Sequence, residues 1–156
     1  MEDRKERNEQ QEMALTIQCR MEQLRKMEGD ALNNRIHPGF VSCDPETRSL
    51  VLRAKTENWM KNPMNSLHGG VSASYLDFAM GVLCSYYGGN LTPTIHMEQN
   101  FLRPIPMGEP VLIRSNVVKP GSSVSFAEAE ICMESDPGKP CVTGSGTYYV
   151  PQEKLF

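Results

Sequence analysis

The chain has 156 residues, 39% hydrophobic and 22% charged, with a net charge of −3. That length supports one hydrophobic core and leaves little for a second domain, and the composition is that of an ordinary globular protein. The charge balance offers no basic stripe for nucleic acid, no apolar run long enough for a helical membrane span is free of charge, and the polar opening MEDRKERNEQQE does not read as a secretory signal.

Residues 1–12 are charged and polar, and a frayed start is expected there. From Met13 the apolar positions Met13, Ile17, Met21, Leu24 and Met27 recur by threes and fours, the spacing of an amphipathic helix, which Gly29 ends. That stripe can cover the domain itself or a partner subunit. Residues 1–30 thus form a helical extension and 31–156 a single domain. Gly39–Cys43 and Ser49–Ala54 read as two strands around the turn Asp44-Pro45-Glu46-Thr47.

The stretch from Asn62 to Asn90 comes next. From Val71 to Tyr87 nearly every face is apolar or small, so the segment reads as a buried helix, with Gly88-Gly89 as a left-handed stop. It carries one charge, Asp77. An isolated carboxylate in such a helix costs several kcal/mol unless it is paired or neutralised, so Asp77 needs a reason to be there. At the helix start stands His68-Gly69-Gly70, where the first N–H groups lack intrahelical partners and the helix dipole is positive. Two glycines let a ligand approach that backbone without meeting a Cβ. Donors for a polarised carbonyl oxygen and a carboxylate are two parts of an acyl-transfer or hydrolysis centre. His68 and Asp77 are nine residues apart, roughly 13 Å of helical rise and about half a turn out of phase. One copy cannot easily aim both at one atom. Two copies related by a twofold axis can, which predicts a site shared across a homodimer.

Four strands follow. Thr94 to Leu102 alternates Ile95, Met97, Gln99 and Phe101 on one face with Thr94, His96, Glu98 and Asn100 on the other. Val111–Val118 stops at Lys119-Pro120-Gly121, Val124–Met133 stops at Asp136-Pro137-Gly138-Lys139, and Val142–Val150 closes the set. One long buried helix with an antiparallel sheet of five or six strands is an α+β domain.

Asn62, Leu67-His68-Gly69-Gly70 and Asp77, at these spacings, with the Pro104-x-x-x-Gly108 turn downstream, resemble the signature of hotdog-fold acyl-CoA thioesterases. The type resembled is the phenylacetate-degradation type within the 4-hydroxybenzoyl-CoA thioesterase superfamily, over about residues 36–150. The resemblance implies a curved sheet wrapped around the central helix, and pairing of dimers into a homotetramer. It implies hydrolysis of an acyl-CoA thioester, with Asp77 activating water or attacking the thioester and the Gly69 N–H polarising the carbonyl. His68 would position the loop, Asn62 would stand near substrate or water, and Thr94 would present a hydroxyl where the family carries Ser or Thr. Coenzyme A, as part of the substrate, would lie along Gly70 and Lys119-Pro120-Gly121-Ser122-Ser123, with Arg103 a further phosphate candidate. Asn65 stands where the family often carries Gly, and Asn tolerates the left-handed backbone such a turn needs.

Other readings of the same residues stay open. His68 can be a simple helix cap, Asn62 a turn former and Thr94 an ordinary strand residue. His37 and His96 have no ligand spacing, so neither a metal site nor a separate cofactor is expected. The five cysteines are odd in number and lack a C-x-x-C pair, which reads as reduced thiols in a cytoplasmic protein. An acyl-CoA-binding module without turnover is the alternative function. A hotdog hydratase fits less well, because Asp77 follows His68 instead of preceding it.

Overall fold

The computed structural model describes residues 2–153. Helix α1 runs over Glu2–Glu28, so residues 2–12 are helical and not frayed as their charge suggested. The reason is local: Glu, Arg, Lys and Gln are strong helix formers, Lys5 and Glu9 pair one turn apart at 3.9 Å, and Gln10 donates to the Cys43 carbonyl at 2.9 Å. Met13, Ile17 and Met21 of the expected stripe are buried, and Leu24 packs at the edge of the core; the side chain of Met27 lies outside the described residues. Gly29 takes a φ of 57° and ends the helix. The stripe packs on the chain's own β1 and α3. A short helix α2, Leu32–Ile36, leads into the sheet.

Six antiparallel strands form one sheet in the order β1-β2-β4-β5-β6-β3. They are β1 (Gly39–Asp44), β2 (Ser49–Lys55), β3 (Thr94–Phe101), β4 (Pro110–Lys119), β5 (Val124–Met133) and β6 (Pro140–Tyr149). The β1–β2 turn is closed by Asp44, which accepts from the Glu46 N–H at 2.9 Å and the Thr47 hydroxyl at 2.8 Å. Alternate residues of β4, β5 and β6 (Val111, Ile113, Val117, Ala127, Ile131, Val142, Tyr148) face one side and are buried. Against them lies α3, Gly69–Gly88, whose Tyr75, Leu76, Met80, Leu83 and Cys84 are wholly buried. Each such large side chain contributes about 1.5–3 kcal/mol of burial free energy. Gly89, with φ 69°, supplies the left-handed residue that stops α3.

After α3 the chain does not pair β3 with the next strand in sequence; β3 crosses to the far side of β6 and becomes a sheet edge. Ile95 and Phe101 on this edge are 57% and 56% exposed. If α1 is part of the core, Ile17→Ala lowers unfolding free energy by about 2–5 kcal/mol. Leu15→Ala, on the exposed face of α1, changes it by less than about 0.5 kcal/mol. Denaturant midpoints at unchanged slope read both, and equal effects would show that the stripe is not a core face.

Candidate active site

The loop before α3 is shaped by Asn62. Its side-chain oxygen accepts from the N–H groups of Met64 (2.9 Å) and Ser66 (3.1 Å), and its amide nitrogen donates to the Ser66 hydroxyl at 2.9 Å. Asn65 takes a φ of 59°, the left-handed conformation anticipated for it. The loop is then pinned by Leu67 N–H to the Ile105 carbonyl and His68 N–H to the Met60 carbonyl, both 2.8 Å. His68 is the N-cap of α3, and its Nδ1 accepts from the Gly70 N–H at 2.9 Å. Gly70 therefore spends its N–H on the cap. The Gly69 N–H has no partner among the described residues. A Cβ on Gly69 would sit 3.1 Å from the Phe101 ring, so this backbone is open to approach only because the residue is glycine.

Asp77, two turns along α3, is half-buried and not enclosed as its apolar helix suggested, and it takes two donors. The Thr94 hydroxyl donates to Oδ1 at 2.7 Å and the Tyr148 hydroxyl to the same oxygen at 3.0 Å. Oδ2 has no partner among the described residues. Tyr148 was not foreseen from the sequence. A tyrosine on the inward face of a strand must find a partner for its hydroxyl, and that is a signal, but nothing in its spacing names Asp77. Its ring is accommodated by a glycine: a Cβ at Gly146 would lie 2.8 Å from it. Burial first, and then the neighbouring Asp77, push the Tyr148 hydroxyl far above its ordinary value, so it remains a donor.

Thr94 corrects the strict alternation expected of its strand. The register steps between Thr94 and His96, which pair with the adjacent residues Tyr148 and Thr147 of β6. Ile95 is thus the extra residue of a bulge. Directly opposed residues share a face, so Thr94 joins Met97, Gln99 and Phe101, opposite Tyr148, Gly146, Gly144 and Val142. Without the bulge Thr94 would face away from Asp77 with His96 and Glu98. Bulges re-aim side chains in this way beside functional sites. A strut holds the approach to β3: the hydroxyls of Ser85 and Thr92 lie 3.1 Å apart, and Thr92 Oγ1 donates to the Gly81 carbonyl at 3.2 Å.

These groups open on two clefts. Asn62, Gly69, Ser72 and Arg103 line one of about 570 Å³, with Leu67, Phe101 and Ile105 as apolar walls. Asp77 and Thr94 line another of about 370 Å³ with Arg20, Leu24, Phe78 and Leu91. The proposed coenzyme loop is a third location, at the β4–β5 turn. There the Ser122 carbonyl accepts from the Gln152 side chain and the Ser123 carbonyl from the Val150 N–H. Gly121 is required by that turn, since an added Cβ would fall 2.0 Å from the Val124 carbonyl oxygen. Lys119, at the end of β4, is exposed. Arg103 lies elsewhere, donating to the Pro140 carbonyl at 2.8 Å. Among the described residues no three His, Cys, Asp or Glu side chains come together as metal ligands, and no helix is long and apolar enough to cross a membrane.

The raised Tyr148 proton affinity has a consequence for stability. The folded chain keeps this proton above the ordinary value of 10.0, where the unfolded chain releases it. Its contribution is full below that pH and is lost as pH climbs beyond it. Tyr148→Phe should therefore flatten the alkaline decline of unfolding free energy relative to wild type, measured by urea titration on both sides of that value; an unchanged slope would refute the assignment.

The sequence model of the Thioesterase superfamily matches residues 64–138, from the loop through α3 to the β5–β6 turn. The acyl-coenzyme A thioesterase 13 of Mus musculus is 28% identical over 96 residues, covering 59% of this chain, which spans 65% of that relative's length. The E. coli PaaI protein from the phenylacetic acid degradation operon superposes with a TM-score of 0.76 at 21% identity, over 92% of this chain and 96% of that one. A Streptococcus mutans protein, solved bound to acetyl-CoA, superposes with a TM-score of 0.68 at 16% identity, over 76% and 91%. Over its loop, α3 and strands β3, β4 and β5 the chain is similar to the thioesterase superfamily, and with its six-stranded sheet against α3 it has the hotdog fold.

Proposed function

We propose that the protein hydrolyses acyl-CoA thioesters to the free acid and coenzyme A, at a site built from two protomers. The observation that carries this is the Asp77 carboxylate, held at Oδ1 by Thr94 and Tyr148 with Oδ2 left for chemistry. Oδ2 either takes the proton of an attacking water or attacks the thioester carbon itself. The Gly69 N–H, at the positive end of α3, receives the developing oxyanion; one such donor is worth on the order of 100- to 1000-fold in rate. Thr94 and Tyr148 fix the carboxylate, while His68 and Asn62 hold the loop that presents Gly69. No cofactor is required, since coenzyme A belongs to the substrate, and acetyl-CoA in the Streptococcus mutans structure supports that ligand class. Arg103, at the mouth of the Gly69 cleft, is the cation placed to meet the coenzyme; Lys119, Gly121, Ser122 and Ser123 would meet it only from a partner subunit.

A homodimer follows from the same geometry. Gly69 and Asp77 open on different clefts of one protomer, and the edge strand β3 carries exposed Ile95, Phe101 and nearby Leu102, an unpaired edge of the kind that recruits a second chain. Two dimers would then pair as the family resemblance implies. The five free thiols fit a reducing, cytoplasmic setting.

Asp77→Asn should lower kcat by about 100- to 10,000-fold with acyl-CoA binding retained. Turnover by neither protein on any acyl-CoA, with saturable binding by both, would make this a binding module instead. A single turnover in ¹⁸O-labelled water distinguishes the two roles, because only direct attack leaves label in Asp77.

Sharing of the site makes a separate prediction. Asp77→Asn and Gly69→Val chains, each inactive alone, should on mixing regain about a quarter of wild-type activity, since half the dimers then hold one intact site. No recovery in mixtures shown to contain heterodimers would place each site within one protomer.

A further inference from the structure

Helix α1 lies outside the residues matched to the family, yet it reaches the cleft that holds Asp77. Arg20 of α1 donates through Nη1 to the Ser85 carbonyl, one of the last four carbonyls of α3, which have no partner within the helix. That bond orients the guanidinium and uses one of its five N–H donors. Arg20 is half-buried, and burial pulls its pKa below the ordinary value. Among the described residues it forms no ion pair with a carboxylate. The nearby Cys19 thiol and Tyr86 hydroxyl offset that burial only in part. A half-buried guanidinium with N–H donors to spare can take a carboxylate from a ligand in the cleft it lines.

The cleft supplies the context. Arg20 and Leu24 line it together with Phe78, Val82 and Leu91, and Asp77 and Thr94 line the same space. Asp77, Gly81 and Ser85 follow one another at intervals of four, along one face of α3. Asp77 and Ser85 are thus separated by on the order of 12 Å of helical rise, about the reach of an extended chain of six to eight methylenes with its two carboxyl ends. The walls between them are mostly apolar, with Asn33 and Thr92 as polar members.

We propose that this cleft takes the acyl chain and that Arg20 receives a carboxylate at its far end, so that the preferred substrates are monothioesters of medium-length dicarboxylic acids. This rests on the hydrolase reading above and adds the substrate class. Arg20 is then a specificity residue contributed by the N-terminal helix. A carboxylate can take two parallel N–H bonds from the planar guanidinium, and a simple fatty acyl chain of equal length leaves those donors unmatched.

The test compares octanedioyl-CoA with octanoyl-CoA, which differ in the terminal carboxylate alone, for wild type, Arg20→Met and Arg20→Lys. Wild type should prefer octanedioyl-CoA in kcat/KM. Arg20→Met should lower that preference by about 10- to 100-fold, the range of a hydrogen bond between charged groups, and Arg20→Lys should restore part of it. Because Arg20 also caps α3, a loosened helix would slow both substrates equally and leave the ratio unchanged; an unchanged ratio overturns the proposal. Should wild type hydrolyse neither thioester, the hydrolase reading fails by itself, and calorimetry with octanedioate and octanoate decides this one. Binding of octanedioate that Arg20→Met abolishes supports the Arg20 site, and equal or absent binding by wild type and variant refutes it.

Discussion

A carboxylate placed in the middle of an apolar helix sets the terms for the rest of this structure. Asp77 stands half-buried beside Tyr75, Leu76, Phe78 and Met80, and among the described residues it forms no ion pair. Two neutral hydroxyls do the work instead, both on Oδ1. Each comes with a structural requirement. Tyr148 needs Gly146 to give its ring space, and Thr94 needs a bulged residue, Ile95, to turn toward the helix. The Ser85–Thr92 strut fixes where β3 begins, so the loop after α3 also serves the carboxylate. The two oxygens thus differ: Oδ1 is held, and Oδ2 has no partner among the described residues.

The start of α3 obeys a different constraint. Its first N–H groups need partners or a ligand. His68 takes the Gly70 N–H through Nδ1, which leaves the Gly69 N–H as the donor without one. Asn62 and Asn65 bend the loop so that His68 can cap, and the backbone bonds to Met60 and Ile105 hold that bend. The polar residues before the helix are therefore positioning residues in this chain, acting on one backbone donor. The open donor and the open carboxylate oxygen lie at different clefts of one protomer, and that separation is the physical argument for a second copy. The N-terminal helix enters the same logic from the other side, closing the Asp77 cleft with Leu24 and a half-buried Arg20.

Much of this was legible beforehand. Patterning alone placed the buried helix, its glycine stop, the hairpin turn at Asp44 and the number of strands, because each rests on local periodicity or turn chemistry. The resemblance carried by His68-Gly69-Gly70 and Asp77 pointed to the family. Where expectation failed, the missing information was non-local except over residues 2–12, where helix propensity outweighed charge. Residues 2–12 read as too charged to hold a structure, but side-chain pairs within the helix and the Gln10 bond to β1 stabilise it. Strict alternation put Thr94 on the wrong face, since a bulge is decided by pairing with a strand more than forty residues away. That the His68 ring would take the Gly70 N–H was likewise not legible, since it depends on how the loop bends.

The sequence by itself determined which residues could do chemistry: one carboxylate in an apolar helix, a pair of glycines at its start, and a hydroxyl on the strand that follows. Those are statements about composition and spacing, and hydrophobic periodicity suffices for them. The tertiary structure decided which groups meet. It brought Tyr148 to Asp77 across 71 residues, turned Thr94 inward, spent Gly70 on a cap, and set Arg20 over the far end of the cleft. Such contacts depend on sheet order and strand register, in which β3 passes over three strands to pair with β6, and no local pattern in the chain specifies that crossing.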